Sequence, residues 1–173
     1  TTQDEQVIRN MKEGIDFIHH HPINKESIYT LYSILSKQSL SDENRIESIY
    51  RTGPVDVIGF YGEVSDRGVN ARDLEAWMDE LIAFTQSQLY LKSEFTYLMP
   101  FILHFMVVYY HPYYDFNGRM ARMLSYWFSL QCKFITIKFP ILSEAINYNQ
   151  KTKAQYYLAI ENSRSEENDL TFF

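Results

Sequence analysis

The sequence predicts a mainly α-helical bundle that carries one small β-hairpin. Apolar residues recur three or four positions apart through most of the chain, which is the spacing of helices buried along one face. Glycine and proline are scarce, with six and five among 173 residues, so few turns interrupt these helices. A single stretch, residues 49–58, has the β-prone and turn-forming residues of a hairpin.

Two helices precede that hairpin. An apolar stripe predicts the first from Asp4 to about His20, and Asn24 is a suitable N-cap for a second that ends near Ser36. The first helix ends in the run His19–His21. Consecutive helical residues diverge by about 100°, so their side chains do not converge on one metal ion, and we expect a solvated helix end.

The hairpin is predicted to turn at Gly53-Pro54, between two short β-prone pieces. Residues 59–68 read as a loop. Asn70 then caps a helix that extends to about Leu91.

The rest of the chain is helical. Apolar spacing predicts a buried helix over residues 94–110 and another from residue 118, and two shorter helices are expected at 143–149 and 151–163. We therefore expect one domain over residues 1–173: N-terminal helices at about 1–48, a hairpin at 49–58 and a core bundle at 70–163. Because the chain begins without Met, we also expect flanking regions beyond it.

Charge and composition exclude several classes of protein. A net charge of −6 and a pI of about 5.3 provide no basic surface for nucleic acid or anionic membranes. No segment has the roughly 18 uninterrupted apolar residues of a membrane-spanning helix. The single cysteine, Cys132, is compatible with a reducing compartment, and we expect a cytoplasmic protein.

The candidate catalytic and binding residues lie at positions 111–122, between two predicted buried helices. This stretch, His-Pro-Tyr-Tyr-Asp-Phe-Asn-Gly-Arg-Met-Ala-Arg, holds one imidazole, one carboxylate, one amide and two guanidiniums. Pro112 favours a helix stop, and Asn117 is a good N-cap for a helix beginning at Gly118. A helix N-terminus with Arg119 and Arg122 one turn apart is suited to a di- or triphosphate.

Two further residues of this stretch suggest roles. His111 has an imidazole that titrates near neutrality and can take a proton from an incoming hydroxyl. Asp115 can hold one side of a magnesium ion whose other ligands are phosphate oxygens and water. The combination indicates phosphate-ester chemistry.

This stretch resembles the Fic (Fic/Doc) family motif, His-Pro-Phe-x-Asp/Glu-Gly-Asn-Gly-Arg-x-x-Arg. The matching positions are His111, Pro112, Asp115, Asn117, Gly118, Arg119 and Arg122. The resemblance implies a Fic-type helical bundle with a β-hairpin flap. It also implies a protein adenylyltransferase, an enzyme that moves AMP from ATP to a Ser, Thr or Tyr hydroxyl of a protein.

The resemblance further assigns roles to individual residues. His111 would be the general base, Asp115 the Mg²⁺ ligand, Asn117 and Gly118 the cradle of the α-phosphate, and Arg119 and Arg122 ligands of the outer phosphates. The flap residues that would hold a target segment are Arg51, Thr52, Val55 and Val57. Tyr157 would line the adenine pocket, although core packing explains the Tyr156-Tyr157 pair equally well.

The implied partner is a protein substrate, which includes the chain itself, and both a monomer and a homodimer are compatible with the sequence. Two other functions remain: a Fic-fold transferase that uses another nucleotide, phosphocholine or phosphate, and an inactive binding module. His104 is conceivable as a second catalytic histidine, but a core histidine satisfied by one hydrogen bond is the more usual situation.

Two positions depart from the family motif. Tyr113 in place of Phe is a mild change. Phe116 in place of Gly is not, because a positive φ there would cost Phe about 1–2 kcal/mol, whereas a negative φ would only add a wall to the pocket. The sequence is consistent with either.

An inhibitory segment is the last feature implied by the resemblance. Many Fic proteins are held inactive by Ser/Thr-x-x-x-Glu-Gly/Asn, whose Glu pairs with the second motif arginine. Ser163 to Asn168 matches this pattern, with Glu167 as the inhibitory residue and Arg122 as its target. The alternative is a polar loop, with any inhibitory helix lying outside this chain.

Overall fold

The computed structural model describes residues 2–87, 91, 94–133, 139–165 and 170–172. Within these ranges the chain forms seven α-helices and one two-stranded antiparallel sheet. The helices are α1 (Gln3–Ile18), α2 (Lys25–Ser36), α3 (Leu74–Gln86), α4 (Met99–Tyr110), α5 (Asn117–Gln131), α6 (Phe139–Asn147) and α7 (Gln150–Ser165), and the strands are β1 (Asp56–Ile58) and β2 (Val64–Arg67). The prediction of a mainly helical fold with one small hairpin is confirmed.

The first two helices begin where their capping residues predict. The Thr2 side chain accepts from the N–H of Glu5, whose carboxylate accepts from the N–H of Thr2, and this is a capping box. Asn24 accepts from the N–H of Ser27 at the start of α2. A Cβ on Gly14 of α1 would lie 3.0 Å from the side chain of Leu35 in α2, so a larger residue at this position would require the Leu35 side chain to shift.

Helices α4 and α5 form the centre of the bundle and make its most extensive helix–helix contact. Leu103 of α4 and Met123 and Trp127 of α5 are fully buried there, against apolar residues of α2 and α3. Because the residues between α4 and α5 connect two buried helices, they are held from both ends. The candidate site residues at 111–122 are therefore held in place by two packed helices.

The hairpin lies later in the chain than predicted. Its strands pair Asp56 with Arg67 and Val57 with Asp66, and its turn is at residues 59–63, so the predicted hairpin at 49–58 and the predicted loop at 59–68 were both wrong in extent. Gly62 has a φ of 87°, which supplies the turn. The N–H of Gly53, at the predicted turn, donates instead to the Tyr114 hydroxyl at 2.8 Å, a long-range contact that no local pattern reveals.

Other helix ends also differ from the predictions. Helix α3 ends at Gln86, short of the predicted Leu91, and residues 94–98 form a 3₁₀ turn before α4. Pro100 lies in the first turn of α4, where its missing N–H costs nothing. In the part of the chain that the structure describes, no helix is long and apolar enough to cross a membrane.

Candidate active site

Six residues, 111–116, join α4 to α5 and bring the predicted catalytic residues to one end of the bundle. His111 ends α4 with a left-handed backbone, φ 51° and ψ 60°, and its N–H donates to the carbonyl of Val107. Pro112 follows and prevents continuation of the helix. The imidazole therefore projects from a fixed turn at the end of a buried helix.

Asn117 closes the loop and does not cap α5 as predicted. Its Oδ1 accepts from the N–H of Tyr113 at 3.0 Å, and its Nδ2 donates to the carbonyl of Tyr113 at 2.7 Å. Asn117 is the first residue of α5, and its amide is 4% exposed and used within the loop. The Tyr113 ring stacks on Tyr32 with centroids 3.9 Å apart, and its hydroxyl, which distinguishes it from Phe, is buried without a hydrogen-bond partner among the described residues.

Phe116 occupies the N-cap position of α5 with φ 71° and ψ 3°. Of the two alternatives that the sequence left open, the positive φ is the correct one, and it costs a non-glycine residue about 1–2 kcal/mol. The side chain is 4% exposed, and the Arg119 guanidinium carbon lies 4.1 Å from the ring centroid. Burial of the ring offsets the backbone strain, and the ring forms a wall beside Arg119.

The first two turns of α5 carry two guanidiniums that have no counter-ion in the part of the chain that the structure describes. Among the described residues, Nη1 of Arg119 and Nε of Arg122 are buried and have no hydrogen-bond partner, and no carboxylate pairs with either side chain. Burial lowers the pKa of Arg122, and the nearby charge of Arg119 lowers it further. Phe116 gives α5 no side-chain cap, so its first N–H groups remain available beside these cations.

Arg122 lies close to the start of α5. A Cβ at position 118 would be 3.4 Å from Nη1 of Arg122, so the guanidinium is in contact range of Gly118. Unpaired buried charge is costly, and an anion at this helix N-terminus would relieve that cost. The geometry is that of an anion site.

His111 is neutral at physiological pH. Its Nδ1 lies 3.3 Å from the carbonyl oxygen of Val108. Because a carbonyl can only accept a hydrogen bond, Nδ1 carries the proton and Nε2 keeps its lone pair. Burial lowers the pKa of His111 to about 4, the hydrogen bond to Val108 opposes this, and the charges of Arg164 and Arg51 lower it further. An imidazole with a vacant Nε2 can accept a proton.

Asp115 is exposed beside the anion site. One carboxylate oxygen accepts from the N–H of Phe116, and none of the ion pairs among the described residues includes Asp115. Over the same ranges no group of three or more His, Cys, Asp or Glu side chains could hold a metal. A single carboxylate suits Mg²⁺ when phosphate oxygens and water complete the coordination, so the donor set fits the predicted role.

Arg51 was predicted to dock a target protein, but its side chain is buried and the residue is only 2% exposed, so this prediction is corrected. Its guanidinium donates to four backbone carbonyls, those of His111, Gly53, Val69 and Tyr110. A Cβ on Gly68 would lie 2.7 Å from Arg51 Nη2 and 3.0 Å from His111 Cβ. Arg51 therefore holds both ends of the hairpin against the His111 turn and cannot contact a partner.

The other predicted docking residues differ in exposure. Thr52 is exposed, Val55 is half-buried and its carbonyl accepts from the N–H of Gly68, and Val57 is 9% exposed beneath the hairpin. Docking of a target on this hairpin stays a prediction.

A cavity of about 610 Å³ lies between the hairpin and α7. Val57 and Phe60 line it from the hairpin side, and Tyr157 lines it from α7, with its ring centroid 5.8 Å from that of Phe60. None of residues 111–122 lines this cavity, although Val108 and Arg164, both next to His111, do. Tyr157 thus lies where a nucleoside base could be enclosed, and its nucleotide contact stays a prediction.

Tyr156 and His104 form a buried pair behind the anion site. The Tyr156 hydroxyl lies 2.7 Å from Nε2 of His104, and His104 is 1% exposed. Burial lowers the pKa of His104 to about 3, and the charge of Arg122 adds to the effect. This is the geometry expected of a structural core histidine.

Sequence reasoning missed Arg164. Its side chain is 6% exposed, its Nε lies 2.6 Å from Asp66 of β2, and its Nη2 donates to the carbonyl of Tyr109 at 2.9 Å. Arg164 follows Tyr157 by seven residues, two helical turns, and this spacing was the available signal. Glu167, the predicted inhibitory residue, lies outside the described residues.

Comparisons with known proteins agree with the motif. The sequence profile of the Fic/DOC family matches residues 22–129. A crystal structure of a Fic family protein from Desulfovibrio desulfuricans G20 is similar over 99% of this chain, with a TM-score of 0.75 and 18% identity, which shows a shared fold. This chain spans about half of that protein, 49%. No curated protein matches the chain significantly.

Proposed function

The chain belongs to the Fic/DOC family, and on that premise we propose that it is a protein adenylyltransferase that transfers AMP from Mg-ATP to a Ser, Thr or Tyr hydroxyl. The observation that carries the proposal is the pair of partly buried guanidiniums, Arg119 and Arg122, which have no counter-ion among the described residues and lie at the uncapped start of α5. A neutral imidazole, His111, is held in the preceding loop. An anion site beside a base supports group transfer from a phosphate ester.

The donor phosphates have a defined place in this proposal. Arg119 and Arg122 bind the β- and γ-phosphates, and the backbone N–H groups at Asn117 and Gly118 face the α-phosphate. The Asn117 side chain acts indirectly, because its amide is engaged with Tyr113. Mg²⁺, when held by Asp115, supplies further neutralisation of phosphate charge.

His111 supplies the base. Its Nε2 takes the proton of the acceptor hydroxyl as the oxygen forms a bond to the α-phosphorus, and the bond from that phosphorus to the pyrophosphate oxygen breaks. Pyrophosphate leaves with the negative charge, which Arg119 and Arg122 stabilise. The imidazolium then returns its proton to solvent.

Incubation with Mg-ATP, alone and with a host lysate, tests the proposal. We expect an added AMP by mass spectrometry with the wild-type chain and none with His111→Ala. ATP-dependent thermal stabilisation should persist in His111→Ala, because this side chain is not among the phosphate ligands. Undiminished transfer by His111→Ala would refute the assigned base.

Phe116 favours a second candidate, a module that binds nucleotide or another phosphate ligand without transfer. Its ring contacts Arg119, and its strained φ sets the direction of the α5 amides. A panel of labelled donors, including other nucleotides and phosphocholine, separates a transferase with a different donor from this module. The module would give a thermal shift with ligand and no covalent adduct.

A further inference from the structure

A buried guanidinium connects the hairpin, α7 and the end of α4. Arg164 of α7 lies 2.6 Å through Nε from the Asp66 carboxylate of β2, and its Nη2 donates to the carbonyl of Tyr109 in α4. Its guanidinium also lies over the Tyr109 ring, 5.0 Å from the centroid. One side chain of α7 thus joins that helix to β2 and α4, and residues of all three elements line the cavity.

The Asp66 carboxylate is fixed for this contact. One oxygen, Oδ1, accepts from the N–H of Arg67 at 2.7 Å, which directs Oδ2 toward Arg164. Asp66 pairs with Val57 across the sheet, and Val57 lines the cavity. The ion pair and the hairpin wall of the cavity are therefore parts of one rigid unit.

Packing by itself holds this hairpin weakly. Among the residues of the two strands only Val57 is buried, and all four residues of β2 are exposed. A two-stranded hairpin is marginally stable without further support. Polar contacts with the bundle must then contribute much of what holds the hairpin in position, and among the described residues the Arg164–Asp66 pair is the ion pair that joins it to α7.

We infer that Arg164 is a positioning residue whose ion pair with Asp66 holds the hairpin over the cavity and so determines the affinity for the donor nucleotide. The ligand in this inference rests on the proposed function. Val57 and Phe60 from the hairpin face Tyr157 from α7, the helix that also carries Arg164. Loss of the pair separates these walls and leaves the phosphate site intact.

Amide hydrogen exchange of residues 57–67 tests the inference independently of catalysis. We expect Asp66→Asn and Arg164→Gln each to accelerate exchange roughly tenfold or more, because either change removes the link between β2 and α7, and Asp66→Asn also leaves the buried Arg164 guanidinium without its carboxylate. The double variant should exchange no faster than either single variant, and Asp66→Glu should restore slow exchange. Asp56→Asn is the matched control, because its 3.4 Å pair with Arg67 is exposed and lies within the hairpin.

Steady-state kinetics provide a second measurement. The KM for ATP should rise in Asp66→Asn while kcat is retained, whereas simple destabilisation lowers the active fraction and leaves KM unchanged. Unchanged exchange in Asp66→Asn, or additive effects in the double variant, would overturn the inference. If the wild-type chain transfers no AMP, the proposed function fails, while the exchange result still decides the role of Arg164.

Discussion

Replacing Phe116 by Gly and by Ala tests the left-handed start of α5. Both variants lose the same buried ring, at a cost of about 3–5 kcal/mol, so the difference between them isolates the backbone. At φ 71° an alanine pays about 1–2 kcal/mol, and glycine loses about 0.5–1 kcal/mol of chain entropy. We therefore expect Phe116→Gly to be the more stable variant by about 0.5–1 kcal/mol.

Urea unfolding of the two variants measures this difference directly. Lys12, exposed in the middle of α1, is the matched control position, where Ala should be more stable than Gly by about 1 kcal/mol. The sign of the difference between Gly and Ala must therefore reverse between positions 116 and 12. An alanine at 116 as stable as glycine, or more so, would refute the positive φ and the strained N-cap.

The same site yields four further predictions. In the absence of ligand, Arg122→Met should raise the free energy of unfolding by about 1 kcal/mol, since it removes a largely buried charge that has no counter-ion among the described residues. It should also abolish the ATP-induced thermal shift, and wild-type ATP binding would contradict this. The pKa of His111 is lowered to about 4 in the folded state, so between about pH 6.5 and pH 4 this residue binds fewer protons in the folded chain than in the unfolded chain. Its contribution to stability is therefore lost as pH falls through that range. The difference in the free energy of unfolding between wild type and His111→Asn, measured with urea, should change over the same range. Gly68→Ala should cost about 1–3 kcal/mol in urea unfolding and reduce AMP transfer, because the new methyl group would overlap Arg51, which hydrogen bonds hold in place; wild-type stability would show that this contact can relax. Tyr157→Ala should weaken ATP binding roughly tenfold in a titration through the loss of an aromatic wall, and unaltered affinity would place the base elsewhere.

The family motif was sufficient to locate the loop, because its seven matching residues all lie within twelve consecutive positions. The assigned functions of individual residues within it were less predictable. Asparagine is a residue type that favours the N-cap position, yet the Asn117 side-chain amide hydrogen-bonds to the backbone of Tyr113 instead. Local propensity favours capping, but the backbone of Tyr113, only four residues earlier in the same loop, competes for the same amide.

Residues near the hairpin show why the remaining predictions failed. Arg51 and Gly53 look like hairpin residues locally, but both hydrogen-bond to the loop after α4, about sixty positions away in sequence. Arg164 and Asp66 are likewise distant in sequence and have no shared local signal. Contacts of this kind depend on which elements pack together, and no spacing rule encodes them.

The amino-acid sequence by itself determined the helical bundle and the position of the motif loop at residues 111–122, because helix periodicity and a short motif are local properties of the chain. The tertiary structure alone decided the positive φ of Phe116, the burial of Arg51 and the ion pair of Arg164. These depend on the burial of charge and of one aromatic ring between elements that are far apart in sequence. Their energies are set by neighbours that only the folded chain brings together.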